Sequence, residues 1–507
     1  MKYDVIIIGS GLGGLECGVL LAQCGKSVLV LERQKQAGGC MQSYRRRDSY
    51  YDTGLHYVGG LGKGQSLYGA FKALGLLELP WVKLDEQAFD RIMIGERNFC
   101  FSQGYDNFTD TLAAEFPSQR KALAAYADLL KNSDEHQLDS LIPLGDGEED
   151  NGAAKRLFDE QFSSGAYRYL CDNFSDPLLV EVLAGASLKM DLDKDSIPLF
   201  TFLHGNSGFI QSSWRLCGDG NMLVNALVRK IEYYGGKVQC DTEIKELLEV
   251  DGRITEAVAS NGERFSADVF ISDAHPAVTC SMVSSSALMK NIYKRRIASL
   301  ENSVGMFTAS IKLKPKSVKY FNFNQFIYRD EKVWDLQNSA DSVNGVLVCC
   351  RPESRRTSSG GTVVDEWTRH IELLTPMPWD LLRQWENTRV GQRGEGYLSL
   401  KKKFTNDCIE LAERFLPDLR SSISEIYTST PLSYRDYNLS PNGCAYGIKK
   451  NFKAPMLTVL SPKTPVPNLL MTGQSLMLHG LHGVTMTSLF TCAEILGKEK
   501  VWNLINL

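Results

Sequence analysis

Six residues near the start of the chain, Gly9-Ser10-Gly11-Leu12-Gly13-Gly14, have the Gly-x-Gly-x-x-Gly spacing that lets a backbone approach a phosphate. Gly9 permits a tight turn, Gly11 leaves room for a pyrophosphate, and Gly14 lets a helix pack closely on a strand. A helix opening at this point turns unpaired N–H groups and a partial positive charge toward an anion. Glu32 follows about 18 residues later, where a carboxylate accepts hydrogen bonds from a ribose diol and repels a 2′-phosphate. A second glycine cluster lies near the other end of the chain, in Thr472-Gly473-Gln474 and Gly480-Leu481-His482-Gly483-Val484. Both clusters suit the binding of a dinucleotide.

Each cluster needs a strand before it and a helix after it. Tyr3–Ile8 reads as a buried parallel strand, Leu15–Cys24 as a helix and Ser27–Leu31 as the second strand of a βαβ unit. Asn468–Thr472 and Thr485–Leu496 supply the strand and helix of the closing segment. Gly38-Gly39-Cys40 adds a glycine pair soon after the second strand, which suits a chain wrapped around an elongated cofactor. A simple NAD domain has no reason to recruit residues 472–485, so the cofactor expected is FAD. Only one Gly-x-Gly-x-x-Gly turn sits between a strand and a helix, and electrons are therefore expected from a source other than NAD(P)H.

The rest of the chain alternates helix and sheet. Residues 75–167 read as mostly helical, with an acidic, turn-rich stretch at 132–151 that suits an exposed loop. Leu223, Leu227 and Ile231 form the apolar stripe of an amphipathic helix over 222–234. Asp251-Gly252 and Asn261-Gly262 are hairpin signals, and Asp268–Ser272 reads as a further buried strand. Ser354–Gly361 reads as a polar loop and Cys408–Phe415 as a helix ended by Pro417. At 507 residues the chain is too long for one simple core, and two interwoven α/β domains are expected. Residues 1–74, 215–280 and 460–507 form the cofactor domain in this reading, and 75–214 with 281–459 the substrate domain.

Composition excludes other functions. A net charge of −4 with no basic tail offers nothing to a nucleic acid. Thirteen cysteines, an odd number, show no Cys-x-x-Cys pair and no metal-ligand spacing, which predicts a reduced cytoplasmic chain without a metal site. Val5–Ile8 is too short for the core of a signal peptide, and no apolar run reaches membrane-spanning length. Peripheral contact with the inner face of a membrane is compatible with this pattern.

The glycine fingerprint, Tyr51-Asp52-Thr53-Gly54-Leu55-His56-Tyr57-Val58-Gly59, Thr430-Pro431-Leu432, Gly443-Cys444-Ala445-Tyr446-Gly447 and Gly473-Gln474 together resemble the retinol saturases and their carotenoid desaturase and isomerase relatives. The Asp-Thr-Gly-x-His-Tyr run is the most specific element and points to the saturase branch. Leu216-Cys217-Gly218-Asp219-Gly220 departs from the Pro-x-Gly-Gly of many relatives, and this leaves the polyene class without singling out retinol.

The resemblance implies a glutathione-reductase-like FAD-binding Rossmann fold with a discontinuous α+β substrate domain inserted in it. It implies reduction, or else desaturation or isomerisation, of a carbon–carbon double bond in an apolar polyene or isoprenoid lipid, with an electron donor or acceptor that no motif names. Gly9, Gly11, Gly14, Glu32, Gly39, Ile244, Gly473 and Val484 should line FAD by motif, joined by Ser10, Gly13, Arg33, Gly38, Cys40, His56, Gln474, Gly483 and Thr485. His56 should stand beside the flavin ring, where an imidazole can exchange a proton near neutral pH. His482 and Tyr446 are the other catalytic candidates. Phe200–His204 and Phe321–Tyr328 could line a lipid tunnel. Two alternatives share the fold: a flavin amine oxidase, and a non-enzymatic prenyl-binding protein like the Rab escort and dissociation-inhibitor proteins.

Overall fold

A computed structural model describes residues 2–135, 159–336, 338–356 and 362–506. Its first sheet has seven strands, drawn from residues 2–31, 237–272 and 469–471. Lys2–Ile8 lies at the centre, paired in parallel with Val28–Leu31 on one side and Arg264–Ser272 on the other. Lys237–Gln239 extends the first edge in parallel. Arg264–Ser272 pairs antiparallel with Arg253–Ala259 through its first three residues, and parallel with Leu469–Met471 through its last three. Ile244–Val250 completes the meander, joined to its partner by Asp251 and Gly252, both at positive φ as the hairpin signal requires.

Why Val5–Ile8 is an unbroken apolar run is visible in the packing. Val5 and Ile7 enter the core on one face of the sheet, Ile6 and Ile8 the core on the other. A parallel sheet covered on both sides leaves no face for polar alternation. On one face lie the helices Leu12–Gln23, Asn221–Tyr233 and Gly480–Leu496. Leu223, Leu227 and Ile231 are buried as their spacing predicts, and Gly18 lets Ile231 approach so closely that a Cβ there would stand 2.8 Å from its Cδ1.

The second sheet also has seven strands, drawn from residues 90–101, 305–377 and 423–429. It is antiparallel except where Asn324–Tyr328 runs parallel to Asp90–Ile94. A small third sheet pairs Val58–Gly59 and Trp81–Lys83 with Ser213–Leu216. Residues 39–57 therefore lead from the first sheet toward the third, and they carry His56 with them.

Several local expectations need correction. Within the stretch 75–167 expected to be mostly helical, Trp81–Lys83, Asp90–Ile94 and Arg97–Phe101 are strands, whereas Tyr105–Glu115 and Arg120–Glu135 are helices. Asp90–Ile94 buries alternate residues, and Gly95 at positive φ turns it into its neighbour. That two-residue period was masked by the helical stretch after it. The helix expected at 408–415 begins at Gly394, and the closing helix begins at Gly480 rather than Thr485. Ser354–Arg356 is a strand paired with Thr362–Val364, while 357–361 lie outside the described residues, as does most of the acidic stretch at 132–151.

Candidate functional site

Ile8 and Leu31 are partners in register, as are Ile8 and Ser272, and Ser272 and Met471. Four parallel strands thus end at one level, and the next residues, Gly9, Glu32, Asp273 and Thr472, share one edge. Ligands of open α/β sheets bind in this place, outside the carboxyl ends of the strands. A cleft of about 230 Å³ opens here. Gly9, Ser10, Gly11, Gly13, Glu32, Arg33, Gly39, Cys40, Ile244, Gly473, Gln474 and Val484 line it. Twelve residues expected from sequence are therefore brought to one surface from six separate stretches of chain.

Four others stand behind that surface. A Cβ on Gly14 would lie 2.3 Å from the Gly9 carbonyl oxygen, so Gly14 serves helix–strand packing. Gly38 donates its N–H to the Ser10 carbonyl at 3.0 Å and braces the glycine loop from outside. Gly483 packs on the backbone of Leu478, and Thr485 Oγ1 donates to Glu16 Oε1 at 2.8 Å inside the helix pair. Because the closing helix starts at Gly480, its positions 483 and 485 turn inward. His56 belongs to an adjoining cavity.

Within the cleft the side chains are held by the protein. Glu32 Oε2 accepts from Ser10 N at 2.9 Å and Ser10 Oγ at 2.6 Å, and Oε1 accepts from Gln34 N at 2.7 Å. The carboxylate is fixed at the strand end with lone pairs to spare. Arg33 donates to the Asp436 and Tyr437 carbonyls at 3.1 and 2.7 Å, tying the rim of the cleft to the helix Pro431–Asn438. Arg33 lines the cleft as well as bracing its rim. Asn438 Nδ2 donates to Cys40 Sγ at 3.1 Å, and burial pushes the Cys40 thiol up to about 11, leaving it neutral.

Sequence reasoning missed Asp273. Its carboxylate accepts backbone N–H groups from Gly14 and Gly11, and a Cβ on Gly11 would lie 2.4 Å from Asp273 Oδ2. Complete burial pushes it up to about 7, with the charge of Glu32 acting in the same direction and the loop N–H groups opposing. The signal available was its position as the residue directly after a parallel strand.

A second cavity of about 170 Å³ shares Cys40, Met41, Gln474 and Gly480 with the first, so the two form one elongated recess. This is the shape a dinucleotide with a bulky ring at one end needs, and the glycine backbone at Gly9–Gly13 and Gly473 leaves room for phosphate; the residues present fit FAD. The walls of the second cavity are largely apolar, with Leu188, Phe209, Met306, Leu347 and Leu374, and no Asp or Glu lines it among the described residues. His56, His482 and Tyr446 all reach it. His56 Nδ1 lies 2.9 Å from Glu372 Oε2. Tyr446 donates its hydroxyl proton to the Leu188 carbonyl at 3.1 Å, and its ring lies 4.7 Å from that of His479. His482 is pushed down to about 4 by burial, and among the described residues its Nε2 has no hydrogen-bond partner.

Of two further residues of this cavity, Lys189 gave no sequence signal and His204 stood out only as the end of the apolar segment Phe200–His204. Lys189 Nζ donates to Tyr57 Oη at 3.0 Å, and Tyr57 donates in turn to Asp90 Oδ2 at 3.0 Å. Burial pushes Lys189 down to about 8, against the attraction of Asp90. His204 is pushed down to about 3 by burial and then by His482 nearby. The apolar segments expected to form a tunnel are core instead. Phe200 and Phe202 are buried in the helix Leu199–His204, and Phe326 and Tyr328 lie within the second sheet; of both segments only His204 touches the cavity.

The chain matches the family described as flavin containing amine oxidoreductase over residues 12–272. It is 24% identical to an all-trans-retinol 13,14-reductase of Danio rerio, over 97% of this chain and 86% of the relative. It is 22% identical to a 4,4'-diapolycopene oxygenase of Methylomonas sp, over 89% of this chain and 90% of the relative. A putrescine oxidase solved with putrescine superposes with a TM-score of 0.65 over 98% of this chain and 99% of its own, at 13% identity.

Proposed function

Since the chain belongs to the family of flavin containing amine oxidoreductases and is an FAD-dependent oxidoreductase, we propose that it saturates a carbon–carbon double bond of an apolar polyene or isoprenoid lipid. The observation that carries this reading is the apolar cavity continuous with the cofactor cleft, with its histidines and without an acid. An amine substrate arrives as a cation. It would meet the Lys189 ammonium and no lining carboxylate, so the cavity is a poor amine site. A prenyl binder without a cofactor needs neither Glu32 at the strand end nor the glycine backbone facing the cleft. Relatives named for retinol reduction and for a diapolycopene agree with a polyene substrate.

In this proposal Glu32 holds the adenosine ribose, the loop Gly9–Gly13 meets the pyrophosphate, and Gly473, Gln474 and Val484 approach the flavin end. FAD when bound and reduced supplies hydride chemistry. The apolar walls exclude water and align the alkene, and His56 gives a proton to one of its carbons. Tyr446 and His482 contact flavin or substrate. Anaerobic incubation of the reduced protein with a panel of polyene lipids, followed by mass analysis, tests the reading: a gain of two hydrogens is expected. A panel left unchanged by active, fully reduced protein overturns it. His56→Asn should keep bound flavin and its melting temperature while losing at least about a hundredfold in turnover, the loss a general acid accounts for. Full activity in that variant would remove His56 from the mechanism.

A further inference from the structure

The His56 ring separates the cavity of about 170 Å³ from a smaller one of about 30 Å³, and it lines both. The smaller cavity is large enough for a water molecule and is walled by Asp52, Arg351, His370 and Glu372. Tyr50, on its rim, is exposed. Four charged or titratable groups meeting behind one imidazole call for a physical reason.

Their pairing supplies one. Arg351 Nη1 lies 3.6 Å from Asp52 Oδ2, and His370 Nδ1 lies 2.8 Å from Glu353 Oε1. Asp52 Oδ1 also accepts from Ser43 Oγ at 2.6 Å and Gly220 N at 2.8 Å. Arg351 also donates to the Tyr50 carbonyl at 2.9 Å, and its Nη2 lies 2.8 Å from His370 Nδ1, so this cation is engaged by Asp52, Tyr50 and His370; among the described residues Glu372 pairs with His56, at 2.9 Å. Both side chains of that pair are more than four-fifths buried, at 17% and 14% exposure, so the attraction is only weakly screened. The other ionisable groups facing Glu372 include Tyr44, Tyr434 and Cys349 from neighbouring elements, all raised by burial and neutral near pH 7, and His370, which burial lowers. Asp52 is pushed up to about 6, first by burial and then by the charge of Glu372.

We propose that Glu372 is the positioning residue of a His56–Glu372 dyad: its carboxylate holds the ring by Nδ1–H and stabilises the imidazolium, so that Nε2 carries the proton for the substrate. This rests on the polyene reading for the identity of the proton acceptor. In the step, the π pair of the alkene forms a C–H bond with the proton leaving His56 Nε2. FAD, when bound and reduced, would supply hydride with its electron pair to the adjacent carbon and would itself be oxidised by two electrons. His56 is left neutral with Nδ1–H still held by Glu372, and takes its next proton from water. An unpaired histidine could protonate an alkene too, but its charge would fade at lower pH, and its ring would be free to turn.

Glu372→Gln keeps the shape and a hydrogen-bonding oxygen while removing the charge. The chain has only seven histidines, so ring ¹⁵N and ¹³C labelling can follow the His56 titration in the flavin-loaded protein, with His56→Asn giving the assignment. His56 is expected to lose more than about tenfold in proton affinity in Glu372→Gln, as befits removal of a close opposite charge. Turnover should then fall off at lower pH than in the parent and approach the parent rate in acid, while Glu372→Asp restores part of both effects. A His56 titration unchanged by Glu372→Gln, or a rate lowered by the same factor at every pH, overturns the dyad. Should the unaltered protein saturate no polyene, the polyene reading falls, and the histidine titration still decides the dyad by itself.

Discussion

Asp273 offers the sharpest test of the cofactor cleft, because its environment opposes its own charge. The carboxylate is completely buried under the glycine loop and is pushed up to about 7 from an ordinary 3.8. Between those values the folded chain holds a proton that the unfolded chain has released, so stability must fall as pH rises through that window. The full difference corresponds to about 4 kcal/mol, of which roughly 3 kcal/mol is lost between about pH 5 and pH 8. For a chain of this size that is about 3 °C in melting temperature. Asp273→Asn removes the titration and keeps the shape. Thermal unfolding of flavin-free protein across this pH range should show the parent falling relative to the variant by about that amount. FAD affinity should follow the same course, since a charged Asp273 repels the pyrophosphate: above about pH 7 the parent should weaken by up to tenfold per pH unit while the variant stays level. Parallel curves for parent and variant, in both stability and affinity, would refute the argument that Asp273 is held neutral by burial.

Two more outcomes are expected. Glu32→Ala removes the carboxylate that lines the cleft and frees Ser10 N and Oγ, and FAD should bind at least roughly tenfold more weakly, a loss of about 1.5–3 kcal/mol, read by flavin fluorescence on apoprotein. NADH and NADPH should not bleach the flavin in stopped flow at turnover rates of about 1–1000 per second, because only one Gly-x-Gly-x-x-Gly turn lies between a strand and a helix.

The sequence by itself determined the cofactor half of this protein. Gly-x-Gly-x-x-Gly after Val5–Ile8, Glu32 after Val28–Leu31 and the apolar stripe of Leu223, Leu227 and Ile231 are local rules, each set by residues within a turn or two of one another. Such rules survive in a linear reading because sterics and hydrophobic period act over short distances. Even there, Gly483 and Thr485 were assigned to the ligand, and the start of the closing helix at Gly480 turned them inward. Only the tertiary structure decided the rest. Asp273 reaches the glycine loop because Ser272 pairs in register with Ile8, and Lys189 meets Asp90 through Tyr57 from widely separated stretches of chain. Glu372 faces His56 across 316 residues of chain. No spacing encodes such meetings. Burial then determines the chemistry they perform, since the loss of water moves Asp273 up and His204, His482 and Lys189 down, and burial is a property of the packed core and not of any residue taken alone.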